Sequence, residues 1–290
     1  MKRSKSSTGA GTRSGPTRTT RRTEARAGFP RARKRFGQHF LEPAWVARLV
    51  DALAPDPLDR VIEIGPGRGA LTRMLAPRVG SLIGVEIDRD LAAAMSAAPP
   101  PHARIVQADF LDADVGALVR QLGEPPARVV GNLPYNVSSP ILFKLLHDAD
   151  EGRTLSDATL MLQREVADRL IATPGSRTYG ALAVQVARVA DVEQLFTLPP
   201  GAFRPPPKVL SAVVRLRFRA ALDADAGVYE RLVRGVFLQR RKTLLRALAP
   251  VASSFEHSAA ELLERAGIDP RLRPENLAPA DFARLSRAVL

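Results

Sequence analysis

Short apolar runs alternate with polar and glycine-rich stretches along this chain, and the spacing predicts its elements. Val61–Ile64, Ser81–Val85, Arg104–Val106, Arg128–Val130 and Ala158–Leu162 read as strands. Glu42–Ala54 reads as a helix because Trp45, Val46, Leu49, Val50 and Leu53 recur at helical spacing. Ala70–Ala76, Glu165–Ala172 and Gly180–Ala190 read as further helices, and Val192–Leu198 and Ser211–Phe218 as the last strands. A composition shift at Ala220–Gly227 marks a linker, and beyond it only helices follow: Tyr229–Ala249, Ser258–Ala266 and Pro279–Val289. The order predicts an open α/β sheet over residues 34–219 and a small all-helical unit over 220–290, with no internal repeat.

Composition changes this picture at one end. Residues 1–35 carry 12 Lys/Arg and a single acid, Glu24, which leaves 31 basic and 29 acidic residues for the remainder, so most of the net charge of +13 belongs to the amino-terminal stretch. Residues 1–33 are Ser, Thr, Gly and Arg with little that is apolar. They cannot offset the entropy of ordering and are expected to form a disordered basic arm. The arm has the Arg-rich, acid-poor composition of a mitochondrial transit peptide but lacks a periodic apolar face, so a polyelectrolyte arm for nucleic acid is the preferred reading. The chain has no cysteine, and its four histidines are scattered, which removes disulfides and thiol chemistry and predicts no metal. No apolar run approaches the ~18 residues of a membrane span, so a soluble, cytoplasmic protein is expected.

Candidate chemistry gathers at the strand ends. Four consecutive strands stop at Gly65, Glu86, Asp109 and Asn132, and the carboxyl ends of strands in an open α/β sheet line its ligand crevice. Gly65-Pro66-Gly67-Arg68-Gly69 is a turn through which a backbone can pass close to a ligand, and Glu86 stands 21 residues after Gly65, a separation suited to gripping ribose hydroxyls. Asn132-Leu133-Pro134-Tyr135 offers a carboxamide, a carbonyl aimed by the extended geometry that Pro134 imposes on Leu133, and a flat aromatic face. A planar, amine-bearing ring would fit there. A proline-rich loop, Pro199–Lys208, is expected to present Phe203, with a core position as the alternative, and Gln239-Arg240-Arg241-Lys242-Thr243 is either a solvated helix face or a phosphate-contacting one.

Seven motifs carry a resemblance: Arg35–Leu41, Glu63–Thr72, Val85–Asp88, Gly131–Pro140, Met161–Leu170, Phe203–Leu216 and Gln239–Leu244. Over residues 34–290 the chain resembles the ribosomal RNA adenine N6-dimethyltransferases. It is most similar to their KsgA type, which dimethylates two adjacent adenines near the 3′ end of small-subunit (16S) rRNA. The resemblance implies a doubly wound Rossmann-like class I methyltransferase sheet with a small C-terminal all-helical domain. It implies contacts to S-adenosylmethionine from His39, Leu41, Gly65, Glu86, Asp109 and Asn132. The residues' own chemistry adds a target-base site at Asn132, Leu133, Pro134, Tyr135 and Phe203, and the basic run adds RNA contacts from Arg240, Arg241 and Lys242. The family often carries Asn at the position of His39, and either side chain can hydrogen-bond. A monomer acting on small-subunit precursors in ribosome biogenesis is expected. Two other readings stay open: a large-subunit (23S) adenine methyltransferase of the antibiotic-resistance type, and a ribosome-assembly binding factor with secondary catalysis.

Overall fold

The computed structural model describes residues 39–152 and 154–290; the expected arm 1–33 and the motif residues Arg35–Gln38 lie outside the described residues. In chain order the elements are β1 (Phe40–Leu41), α1 (Pro43–Leu53), β2 (Arg60–Ile64), α2 (Ala70–Leu75), β3 (Ser81–Glu86), α3 (Arg89–Ala97), β4 (Ala103–Gln107), α4 (Val115–Leu122), β5 (Ala127–Asn132) and α5 (Ser138–Gly152). There follow β6 (Leu155–Gln163), α6 (Arg164–Leu170), α7 (Ala181–Val186), β7 (Ala190–Leu198), β8 (Phe203–Arg204) and β9 (Ser211–Phe218). The chain ends in four helices, α8 (Ala226–Phe237), α9 (Leu244–Ser253), α10 (Ala259–Ala266) and α11 (Pro279–Val289). Among the described residues no helix is long and apolar enough to cross a membrane.

Seven strands form one sheet in the order β4-β3-β2-β5-β6-β9-β7. β2 to β6 are mutually parallel, and β9 runs against both β6 and β7. Parallel strands must be covered on both faces, and β2 shows why this sequence complies: Ile62 and Ile64 enter one core while Val61 enters the other. The first core includes Leu118 and Val119 of α4 and Leu142 and Leu145 of α5; the second includes Leu49 and Val50 of α1 and Leu71 and Leu75 of α2. Because β3 and β4 lie on one side of β2, and β5 and β6 on the other, the strand order reverses between β2 and β5 and opens a crevice at their carboxyl ends. α3, α4 and α5, which the apolar spacing did not predict, supply the connections. Asp88 and Asp114 start the first two by accepting backbone N–H groups of Asp90, Leu91 and Ala117.

A third core joins the last four helices, with Tyr229, Leu232, Leu248, Leu262 and Phe282 buried in it, and takes in Tyr179, Ala183 and Val184 from the α7 region. Here the structure corrects the sequence reading: Tyr229–Ala249 is two helices, not one. The chain reverses because Gly235 lets α8 lie against Val251 of α9, where a Cβ would come within 2.8 Å, and because two N–H groups at the start of α9 find carbonyls outside the helix. Leu244 N donates to Leu272 O at 2.6 Å and Leu245 N to Pro270 O at 3.1 Å. The basic run therefore sits on a turn. α7 is also shorter than expected, since Ala190 already pairs with Phe218 as the first residue of β7.

Candidate active site

A cavity of about 1270 Å³ opens at the carboxyl ends of β2 to β5. Its wall contains His39, Leu41, Gly65, Glu86, Asp109 and Asn132, together with Leu133, Pro134 and Tyr135. The topology explains this convergence: four neighbouring parallel strands end on the same side, and the two-residue ribbon β1·β8 brings His39 and Leu41 across to them, pairing Phe40 with Arg204 and Leu41 with Phe203.

On the β2 and β3 side the glycine turn is held by an acid. Glu86 accepts Gly67 N through Oε2 at 2.8 Å and Asp88 N through Oε1 at 2.9 Å, and each oxygen keeps a lone pair. Burial raises the Glu86 carboxyl above its usual range against the pull of those two backbone donors. Gly65 and Gly67 have φ of +68° and +60°, and a Cβ on Gly67 would lie 3.1 Å from the Phe40 ring, so that turn admits little else. Asp109 accepts Leu111 N through Oδ1 at 2.9 Å, which leaves Oδ2 for a donor in the cavity.

On the β5 side Asn132 donates Nδ2 to the His39 carbonyl at 2.7 Å. Only the amide nitrogen can donate, so that bond fixes the carboxamide and leaves Oδ1 as its free acceptor among the described residues. The His39 ring stacks on Tyr135, with centroids 6.0 Å apart and planes at 25°, and its Nδ1 meets the Pro205 carbonyl at 2.7 Å. The Tyr135 hydroxyl lies 2.6 Å from Ser211 Oγ; burial pushes the phenol up, so it stays neutral.

Two sequence expectations change. Phe203 is not presented by its proline-rich loop: it is 1% exposed, packed in the core with Val46, Leu198 and Val213, because its pairing with Leu41 fixes the backbone while the side chain turns inward. Arg240 is committed elsewhere, with Nε 2.6 Å from Glu275 Oε2 and Nη2 donating to Ser176 O at 3.3 Å; Arg241 and Lys242 are exposed beside it. The three stand outside the cavity wall. One residue escaped the sequence reading. Glu63 lies inside β2, 2% exposed, in the cavity wall, with Oε2 lacking a hydrogen-bond partner, and burial pushes its carboxyl up to about 7 against a smaller opposing pull from the nearby Thr72 hydroxyl. An acid in the run Val61-Ile62-Glu63-Ile64 was the available signal.

A parallel sheet with this reversal, a glycine turn after β2, acids after β3 and β4 and a carboxamide at the end of β5 defines a class I, S-adenosylmethionine-dependent methyltransferase. The donor set fits that cofactor: Glu86 has acceptor capacity for ribose hydroxyls, Asp109 has a free oxygen for the adenine amine, and Gly65, where a Cβ would meet nothing within 4 Å, leaves the space between them open. Residues 30–289 match the ribosomal RNA adenine dimethylase family, and the chain belongs to it. It is 43% identical over 265 residues to a ribosomal RNA small subunit methyltransferase A of Xylella fastidiosa, covering 89% of this chain and 96% of the relative. It is 45% identical over 269 residues to the protein of that name from Acidithiobacillus ferrooxidans, covering 91% and 96%. Among solved structures, a dimethyladenosine transferase from Plasmodium falciparum superposes with a TM-score of 0.73 at 25% identity over 85% of this chain and 96% of that one. The 23S rRNA methyltransferase ErmE superposes with 0.61 at 27% identity over 86% and 99%.

Proposed function

We propose that this enzyme dimethylates the N6 amines of two adjacent adenines near the 3′ end of small-subunit (16S) rRNA, as a cytoplasmic monomer acting on the immature subunit during ribosome biogenesis. The observation that carries the reading is the Asn132 carboxamide, turned by the His39 carbonyl so that its oxygen is an acceptor beside Leu133 and Tyr135 in the cavity that holds Glu86 and Asp109. Adenine N6 is a poor nucleophile because its lone pair is delocalised into the ring. Asn132 Oδ1 and the Leu133 carbonyl accept its two hydrogens and localise that lone pair, and Tyr135 stacks on the base once it has left the RNA stack. The cofactor supplies an electrophilic sulfonium methyl. His39, Leu41, Gly65, Glu86, Asp109 and Asn132 hold it, and the reaction needs no charged catalytic side chain. Arg241 and Lys242 contact phosphates at a distance from the cavity.

The small subunit is preferred to the large because relatives named for the small subunit share 43–45% identity with this chain, against 27% for ErmE. Undermethylated small and large subunits are each incubated with the enzyme and tritiated S-adenosylmethionine, and the modified nucleosides are identified. N6,N6-dimethyladenosine in small subunits alone is the expected result. Label in large subunits would favour the antibiotic-resistance type, and an inert enzyme that still promotes subunit assembly would favour a binding factor.

A further inference from the structure

Tyr135 is held from three directions. Its ring lies against His39, its carbonyl accepts from Ser138 Oγ at 3.1 Å, and its hydroxyl meets Ser211 Oγ at 2.6 Å. Ser211 is the immobile member of this set. It is 1% exposed, opens β9 in register with Gln163 of β6 on one side and Leu198 of β7 on the other, and follows Leu210, whose carbonyl accepts Arg164 N at 3.0 Å. The sheet thus anchors a hydroxyl in the one place where it can fix the far edge of the Tyr135 ring. The residues that follow it on β9, Ala212, Val213 and Val214, are buried and apolar, so its hydroxyl is a polar exception at the start of that run.

We infer that Ser211 is a positioning residue that anchors the hydroxyl end of the Tyr135 ring, and that this anchor matters more for the second methyl transfer than for the first. The inference rests on the adenine-dimethylating reading above. In each transfer the S–CH3 bond of the sulfonium breaks, an N6–CH3 bond forms, sulfur keeps the electron pair as a thioether and N6 releases one proton to water. Before the first transfer N6 bears two hydrogens, and both Asn132 Oδ1 and the Leu133 carbonyl hold it. Before the second it bears one, so one of the two acceptors has nothing to accept. Stacking on Tyr135 then carries a larger share of the orientation.

The test uses full-length enzyme, undermethylated small subunits and S-adenosylmethionine, with N6-methyl- and N6,N6-dimethyladenosine followed over time in wild type, Ser211→Ala, Ser211→Thr, Tyr135→Phe and the Ser211→Ala/Tyr135→Phe double variant. Ser211→Ala and Tyr135→Phe should each slow the second transfer about 5- to 10-fold and the first about 2-fold or less, so that the monomethyl product accumulates. KM for subunits should stay unchanged, Ser211→Thr should restore the wild-type product ratio, and the double variant should be no slower than either single. A wild-type product ratio in Ser211→Ala, additive losses in the double variant, or a Thr variant as defective as the Ala one would overturn the inference. If Ser211→Ala does not fold, Tyr135→Phe removes the same bond from the cavity side and decides alone. Failure of wild type to form any N6-methylated adenine in small subunits would instead bring down the functional reading beneath it.

Discussion

The two ends of β5 are built from the same strand and obey opposite rules. At the amino end Arg128 donates Nε to Asp157 Oδ2 at 2.8 Å, Nη1 to Asp59 Oδ2 at 2.6 Å and Nη2 to the Leu53 carbonyl at 2.8 Å, so the charges of β5, β6 and the loop before β2 are paired, with Asp157 Oδ1 the one buried oxygen of this group that lacks a partner. At the carboxyl end, four residues on, Asn132 Oδ1, the second oxygen of Asp109 and Glu63 Oε2 are left with acceptor capacity and face a cavity. The closed end is organised for stability. The open end keeps polar atoms available to a ligand, and a domain tolerates this because the closed end and the two cores supply the stability.

Substitutions can break that contrast in order of size. Arg128→Ala strands two mostly buried carboxylates, and urea unfolding should show a loss of about 3 to 4 kcal/mol with cofactor affinity of the folded fraction unchanged; a loss under about 1 kcal/mol would mean that the closed end is not what holds the sheet. Glu63→Gln should act with the opposite sign. An unfolded carboxyl near 4.5 that titrates at about 7 in the fold gives stability that is complete below the lower value and lost as pH rises through the upper one. The Gln variant, free of that loss, should match wild type near pH 5 and exceed it by up to about 3 kcal/mol at pH 8 without cofactor; a variant less stable at pH 8 would show that ionised Glu63 has a partner. Glu86→Gln, which keeps one acceptor for the glycine turn, should lower cofactor affinity by about 2 kcal/mol in calorimetry and spare subunit binding. The smallest effect separates the basic run. Arg241→Ala and Lys242→Ala should each reduce the salt dependence of subunit binding by about one counterion, whereas Arg240→Ala should lower thermal stability instead.

Much of the open end was legible because its residues punctuate apolar runs. Glu86 and Asn132 end their strands and Gly65 and Asp109 follow theirs, and strand ends are what an α/β sheet brings together. The interior of the site was less legible because it depends on partners distant in sequence. Nothing local says that the His39 carbonyl orients Asn132, that Ser211 meets Tyr135, or that Phe203 turns inward once its backbone pairs with Leu41. The same holds for the reversal between α8 and α9: a helical spacing that continues from Tyr229 to Ala249 carries no sign of the Leu272 and Pro270 carbonyls that start α9 afresh.

In the proposed reaction the acceptor at the open end, Asn132 Oδ1, works in the transition state. Single-turnover methyl transfer by Asn132→Ala, at saturating cofactor and subunit and with cofactor affinity measured on the same preparation, tests it most directly. A rate about 100-fold or more below wild type, with subunit affinity little changed, is predicted. A rate within about 3-fold of wild type would remove Asn132 from the mechanism and contradict the account.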